Sequence, residues 1–217
     1  MTKQFELDHV FILTSVGAPE AEKLVEFGLV EGPPNTHPGQ GTANRRFFFK
    51  NMMLELLWVA DAAESQTSDL SVLWRRDQQP GASPFGICLR PAADTPTEQT
   101  PFPGWRYTPS YLPEPWYIWV GENSEALTEP FMFYLYFAQL KDNSPDGGHG
   151  HGLQTVTRLT IFGCDRNASQ TIVSTLAETD GIEFRPAPDS LMELGFNDET
   201  QGQTMDFRPH LPLRLCW

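Results

Sequence analysis

The order of short apolar runs constrains this chain most. Residues 5–15 (FELDHVFILTS) are apolar and β-branched, have no helical period, and read as a buried strand. Residues 17–28 place Leu24, Val25 and Phe27 on one stripe, with Pro19 near the start and Gly28 as a stop, and read as a short helix. A brief strand and a loop dense in Gly, Pro and Asn occupy residues 29–45. Residues 47–49 and 53–59 (MLELLWV) then read as strands around a Lys50-Asn51 turn. The unit is β-α-β-β-β.

The same order returns near the C-terminal end. A strand is predicted at 153–163, a helix at 168–179, and strands at 182–184, 191–196 and 213–217. LDHVFIL at 7–13 lies over VTRLTIF at 156–162, and MLELLW at 53–58 over LMELGF at 191–196. Their shared order predicts a structural repeat. Between them, residues 68–76 read as a short helix and residues 85–90, 116–120 and 131–137 as strands. Residues 90–105 read as loop, so the middle is expected to be a second unit whose helix is replaced. Residues 143–152 (NSPDGGHGHG) have linker composition.

Composition narrows the function classes. With 217 residues, 40% hydrophobic and 20% charged, the chain is expected to bury a core. A formal charge of −13 repels phosphate backbones and anionic lipid, so nucleic-acid and membrane-surface roles are not expected. No apolar run approaches the roughly 20 residues of a spanning helix, and the N-terminus lacks a secretory apolar region and reads as mature. Cys88, Cys164 and Cys216 are far apart without a CxxC, which suits buried thiols in a reducing compartment; a cytoplasmic location is expected. Nucleotide-binding and triad-hydrolase motifs are missing.

The units opening LDHVFI and closing LELLWV resemble the vicinal oxygen chelate superfamily, that of glyoxalases, bleomycin-resistance proteins and extradiol dioxygenases. More closely, HPGQGTANRRFFF, MLELLWV, PFGICLRP and a C-terminal TRLTI…DFRP segment resemble the glyoxalase-like domain family. The resemblance implies an α+β fold of repeated βαβββ units forming cupped mixed sheets around a cavity. Two units, the second degenerate, would fill residues 1–142, and a third residues 152–217. It also implies a divalent ion (Mn, Fe, Zn or Mg) held by His and Glu or Gln side chains, and a small-molecule substrate.

His9 stands mid-strand among Leu7, Val10, Phe11 and Ile12, where an imidazole needs a partner. Strict alternation would place Leu7, His9 and Phe11 on one face and Asp8, Val10 and Ile12 on the other. By resemblance His9 matches a first-strand metal ligand; the alternative is a core histidine bonded to protein. Glu55, between Leu54 and Leu56, is a candidate metal ligand and catalytic carboxylate, or a partner of Arg45 or Arg46. The second-unit ligand positions fall on Arg158 or Gly86, neither of which ligates. For the fourth, the repeat offers Glu193, with Tyr134 or Leu213 as alternatives. His149 and His151 read as an exposed linker or as a flap over the cavity, His37 as part of the cavity mouth, and His210 as surface. Arg106 and Arg158 are the cations most able to meet an anionic ligand. Two functions remain open: a metal-dependent lyase, isomerase or dioxygenase on a small organic substrate, and a metal-free module that binds or sequesters one. A homodimer remains open, because three units leave one without an internal mate.

Overall fold

The computed structural model describes residues 3–93, 95–96, 99–163 and 168–217; Cys164 lies outside them. Among these residues β1 (Phe5–Leu13), β2 (Asn35–His37), β3 (Thr42–Phe48), β4 (Met53–Val59), β5 (Phe85–Pro91), β6 (Gly104–Tyr107), β7 (Ile118–Gly121) and β8 (Phe131–Tyr134) form one sheet. Its order is β2-β3-β4-β1-β5-β8-β7-β6. The order shows two halves. In the first, β1 runs parallel to β4; in the second, β5 runs parallel to β8. The halves meet where β1 and β5 pair antiparallel. A helix, α1 (Ala21–Phe27), follows β1, whereas loop follows β5. The fold is α+β with cupped mixed sheets.

Short-range chemistry explains the element ends. Helix α1 begins later than residue 17, because Gly17 and Ala18 take positive φ angles of 80° and 46°. It ends at Gly28, whose φ of 111° lets its N–H reach back to Leu24 and Val25. Val25 is 40% exposed rather than part of the buried stripe. Helices α2 (Ala62–Thr67) and α3 (Val72–Gln78) follow β4, and Asp61 caps α2 by accepting from Glu64 N. The apolar run at 131–137 is strand only as far as Tyr134, and β6 is a strand the sequence pattern did not reveal.

The remaining elements are β9 (Val156–Phe162), α4 (Gln170–Glu178), β10 (Ile182–Arg185), β11 (Leu191–Phe196), β12 (Thr204–Asp206) and β13 (Leu213–Cys216). Their sheet has the order β10-β9-β11-β13-β12. Here β9 pairs parallel with β10 and antiparallel with β11, unlike β1, which runs parallel to β4. The likeness of MLELLW and LMELGF therefore reflects shared alternation rather than equivalent places in a sheet.

The larger sheet has two dissimilar faces. Leu54, Leu56, Val10, Ile12, Ile87 and Met132 pack into a core shared with the second sheet. Phe11, Leu57, Phe131, Phe133 and the α3 residues Val72 and Leu73 form a separate cluster on the opposite face. No helix among the described residues is long and apolar enough to cross a membrane.

Candidate active site

A β-bulge creates the site. The β1–β5 register shifts between Leu7 and His9, leaving Asp8 as the extra residue. The shift overturns strict alternation. Phe5 and Leu7 pack with the shared core, whereas His9 and Phe11 turn to the inner face. It also lets neighbouring side chains meet: Asp8 Oδ1 accepts from His9 Nδ1 at 2.6 Å. Behind Asp8, the buried Arg90 guanidinium bonds Leu7 O, Asn51 O and Glu6 Oε2, and lies 3.5 Å from Asp8 Oδ2. Asp8 thus orients the ring and leaves Nε2 as the nitrogen it does not occupy.

Glu55 arrives from β4, where alternation puts Met53, Glu55 and Leu57 on the inner face. Its Oε1 accepts from Asn44 Nδ2 at 3.0 Å, and no hydrogen bond to Oε2 is found among the described residues. Neither candidate arginine pairs with it. Arg45 bonds Glu31, and Arg46 donates to Pro33 O and stacks over Phe48.

His9 and Glu55 line one cavity of about 370 Å³. Its polar wall is His9, Glu55, Asn35, His37 and Gln40 from the first half, with Tyr111 from the β6–β7 loop. A relay of hydrogen bonds runs along that wall. Tyr111 OH donates to Gln40 Oε1 at 2.9 Å, Gln40 Nε2 to Thr42 Oγ1 at 2.8 Å, and Thr42 Oγ1 lies 2.9 Å from His37 Nδ1. The rest of the lining is largely apolar, with Phe11, Phe131, Phe133, Leu70, Leu73 and Ile118.

Burial and charge set the protonation states. Burial opposes a charged His9, but the carboxylates beside it, Glu55 and Asp8, hold its pKa well above the usual value. Burial raises Glu55, against the pull of His9 and Arg46. His37 is pushed down to about 4 by burial, with His9 and Arg46 adding to the effect. Cys88, paired across the strands from His9, is fully buried, and burial pushes its thiol up to about 12, so it is not a nucleophile.

These residues do not complete a four-ligand divalent centre. The first half supplies His9 and Glu55, but β5 and β8 bring Gly86, Phe131 and Phe133. A Cβ on Gly86 would stand 2.0 Å from the Phe11 ring, so that ring fills the place of a ligand side chain. Among the described residues one group of three His, Cys, Asp or Glu ligand atoms lies within 4.8 Å of one another, that of Asp8, His9 and Cys88. It omits Glu55, and Asp8 already holds the imidazole.

The other candidates lie elsewhere. Glu193, on β11, is bonded to Arg158 at 2.7 Å and Arg214 at 3.0 Å, and does not line the cavity. Its strand belongs to the other sheet, so the repeat does not carry it to His9. Arg158 is held by Glu193 and Glu199, and Arg106 stacks over Tyr117. His149 is buried rather than an exposed linker: its Nδ1 accepts from Val30 N and its Nε2 donates to Phe48 O. His151 is exposed and stacks on Phe27 at 4.4 Å, and His210 is exposed. A larger groove of about 680 Å³ lies between β1 and β9; of its cations, Arg90 and Arg158 are committed to carboxylates and Lys3 donates to Ala177 O. Sequence reasoning missed Asp8 as a partner of His9 and the relay through Gln40 and Tyr111. Both depend on pairings between distant segments.

Comparison with known proteins agrees with this architecture. A hypothetical protein from Staphylococcus aureus of known structure is similar over 97% of this chain and 98% of its own, with a TM-score of 0.54 and 12% identity, and so shares the fold. A hypothetical protein from Bacillus halodurans aligns over 65% of this chain and all of its own, with 14% identity and a TM-score of 0.42. Comparison with curated proteins finds no match. A family model described as a glyoxalase-like domain matches residues 7–105, the segment that supplies β1 to β5 and both His9 and Glu55. In that segment the chain is similar to the glyoxalase-like domain family of the vicinal oxygen chelate superfamily.

Proposed function

We propose that this glyoxalase-like protein binds a small organic molecule in the His9–Glu55 cavity without a divalent metal. One observation carries the reading: a chamber of about 370 Å³ has its polar groups on one wall, while the second half contributes aromatic and aliphatic side chains where metal ligands would be needed. A largely apolar hollow with a few convergent polar groups is the usual form of a small-molecule site. The Asp8-oriented imidazole and the free oxygen of Glu55 supply a donor and an acceptor to a ligand's polar end. In this reading residues 1–142 form the binding part, and residues 152–217 a third unit that buttresses it.

The experiment is a thermal-shift screen of small organic molecules, with metal analysis of the purified protein alongside. Organic ligands are expected to raise the Tm, EDTA is expected to leave it unchanged, and Leu73→Trp, which fills the chamber, is expected to abolish the ligand effect. A second reading, a metal-dependent lyase, isomerase or dioxygenase, draws on the superfamily and on the Asp8, His9 and Cys88 group. Stoichiometric metal that is lost in His9→Ala would favour it and overturn the first.

A further inference from the structure

We propose that the chamber's ligand carries an aromatic ring, seated against Phe11, Phe131 and Phe133, with a hydrogen-bond donor at its other end directed to Glu55. The inference rests on the metal-free binding reading and specifies its ligand.

The three phenyl rings form one connected surface, with centroids 6.2 Å apart for Phe11 and Phe131, 6.1 Å for Phe11 and Phe133, and 5.6 Å for Phe131 and Phe133. All three line the chamber. The His9 imidazole meets Phe133 edge-on at 5.2 Å, so the aromatic surface runs up to the polar wall. Gly86 makes this surface possible. A side chain there would collide with Phe11, so glycine lets the ring lie down on the β5 backbone instead of projecting into the hollow. Aromatic rings prefer offset or edge-to-face neighbours 4.5–7 Å away, and the tilted arrangement of these rings offers a fourth ring such contacts. Glu55 stands beside Phe11 on the paired strand, but the Phe11 ring leans the other way, onto Gly86 of β5. Glu55 Oε1 is taken by Asn44, and among the described residues no hydrogen bond reaches Oε2, which can accept from a ligand. The molecule would therefore lie with its ring toward β5 and β8 and its donor toward β4.

Benzyl alcohol and cyclohexylmethanol test this. They share ring size and hydroxyl, and the saturated ring is the more hydrophobic, so burial alone favours cyclohexylmethanol. Titration of the full chain followed by NMR is expected to give benzyl alcohol the lower Kd by about 2- to 10-fold, the range that specific ring contacts supply. Phe133→Leu, which keeps an apolar wall, is expected to bring the ratio of the two Kd values to about one. Phe131→Leu serves in its place should the first variant fold poorly. Equal or tighter binding of cyclohexylmethanol by the unaltered protein overturns the aromatic inference and leaves the chamber reading standing. A preference that survives both variants also overturns it. Binding of neither alcohol overturns it and counts against the chamber reading as well.

Discussion

At the scale of single residues, the polar wall of the chamber sets a pH response. His37 titrates near pH 4 in the folded chain because burial, then the charges of His9 and Arg46, oppose its protonation. Its ordinary value is about 6.5. Between these values the unfolded chain binds a proton that the folded chain refuses, so stability falls as pH drops from about 6.5 to 4. Replacing His37 with Gln is expected to flatten this part of the urea-midpoint curve, by on the order of 3 kcal/mol at most. Gly86→Ala tests the fit of Phe11 to β5: overpacking there is expected to cost about 1–3 kcal/mol, read by urea unfolding. His9 and Glu55 were visible in the sequence as polar residues inside apolar strands. Asp8 was not visible as the partner of His9, because the bulge that turns it inward exists only in the pairing of β1 with β5.

At the scale of elements, buried side chains anchor segments that lack regular structure. Arg76, on α3, donates to the carbonyls of Leu127, Glu129, Ser124 and Ala126, tying the turn before β8 to the helix that closes the chamber. Burial pushes its pKa down to about 10, which leaves it charged at neutral pH. Arg76→Met is expected to cost about 3 kcal/mol or more, since several buried acceptors lose a charged donor. Hydrogen exchange should quicken in residues 122–129. The loop between β6 and β7 is held more lightly over the chamber, by Tyr111 to Gln40 and Ser110 to Pro38. Tyr111→Phe should change stability by no more than about 1 kcal/mol and speed ligand exchange, measured by stopped-flow binding. Strands with clean alternation, such as β4, were legible. The short strands β2, β6 and β12 were not, since NTH, GWRY and TMD lack the apolar run that made the four-residue β8 and β13 visible.

At the scale of the whole molecule, one core spans both sheets. Phe49 and Phe196 meet at 4.8 Å, and Asn51 bonds the backbone of Val156 through both ends of its amide. His149 ties residues 30 and 48 to the segment leading into β9. Glu129 accepts from Ser169, the N-cap of α4, and so joins the larger sheet to the C-terminal unit. Calorimetry is expected to show a single unfolding transition. His149→Ala should lower its stability by about 1–2 kcal/mol without splitting it, because two part-buried backbone groups, Val30 N and Phe48 O, lose their partner together.

The sequence by itself determined the local alternatives: which runs alternate as strands, where Gly28 stops a helix, and that an imidazole and a carboxylate sit among apolar neighbours. These follow from forces acting within a few residues. Only the tertiary structure decided which strands pair, and pairing decides what side chains share. It sent Glu193 to a different sheet from Glu55, although LMELGF and MLELLW alternate alike. It laid Phe11 over Gly86 and brought Tyr111 to Gln40. Burial drives that assembly, and burial is set by segments far apart in the chain.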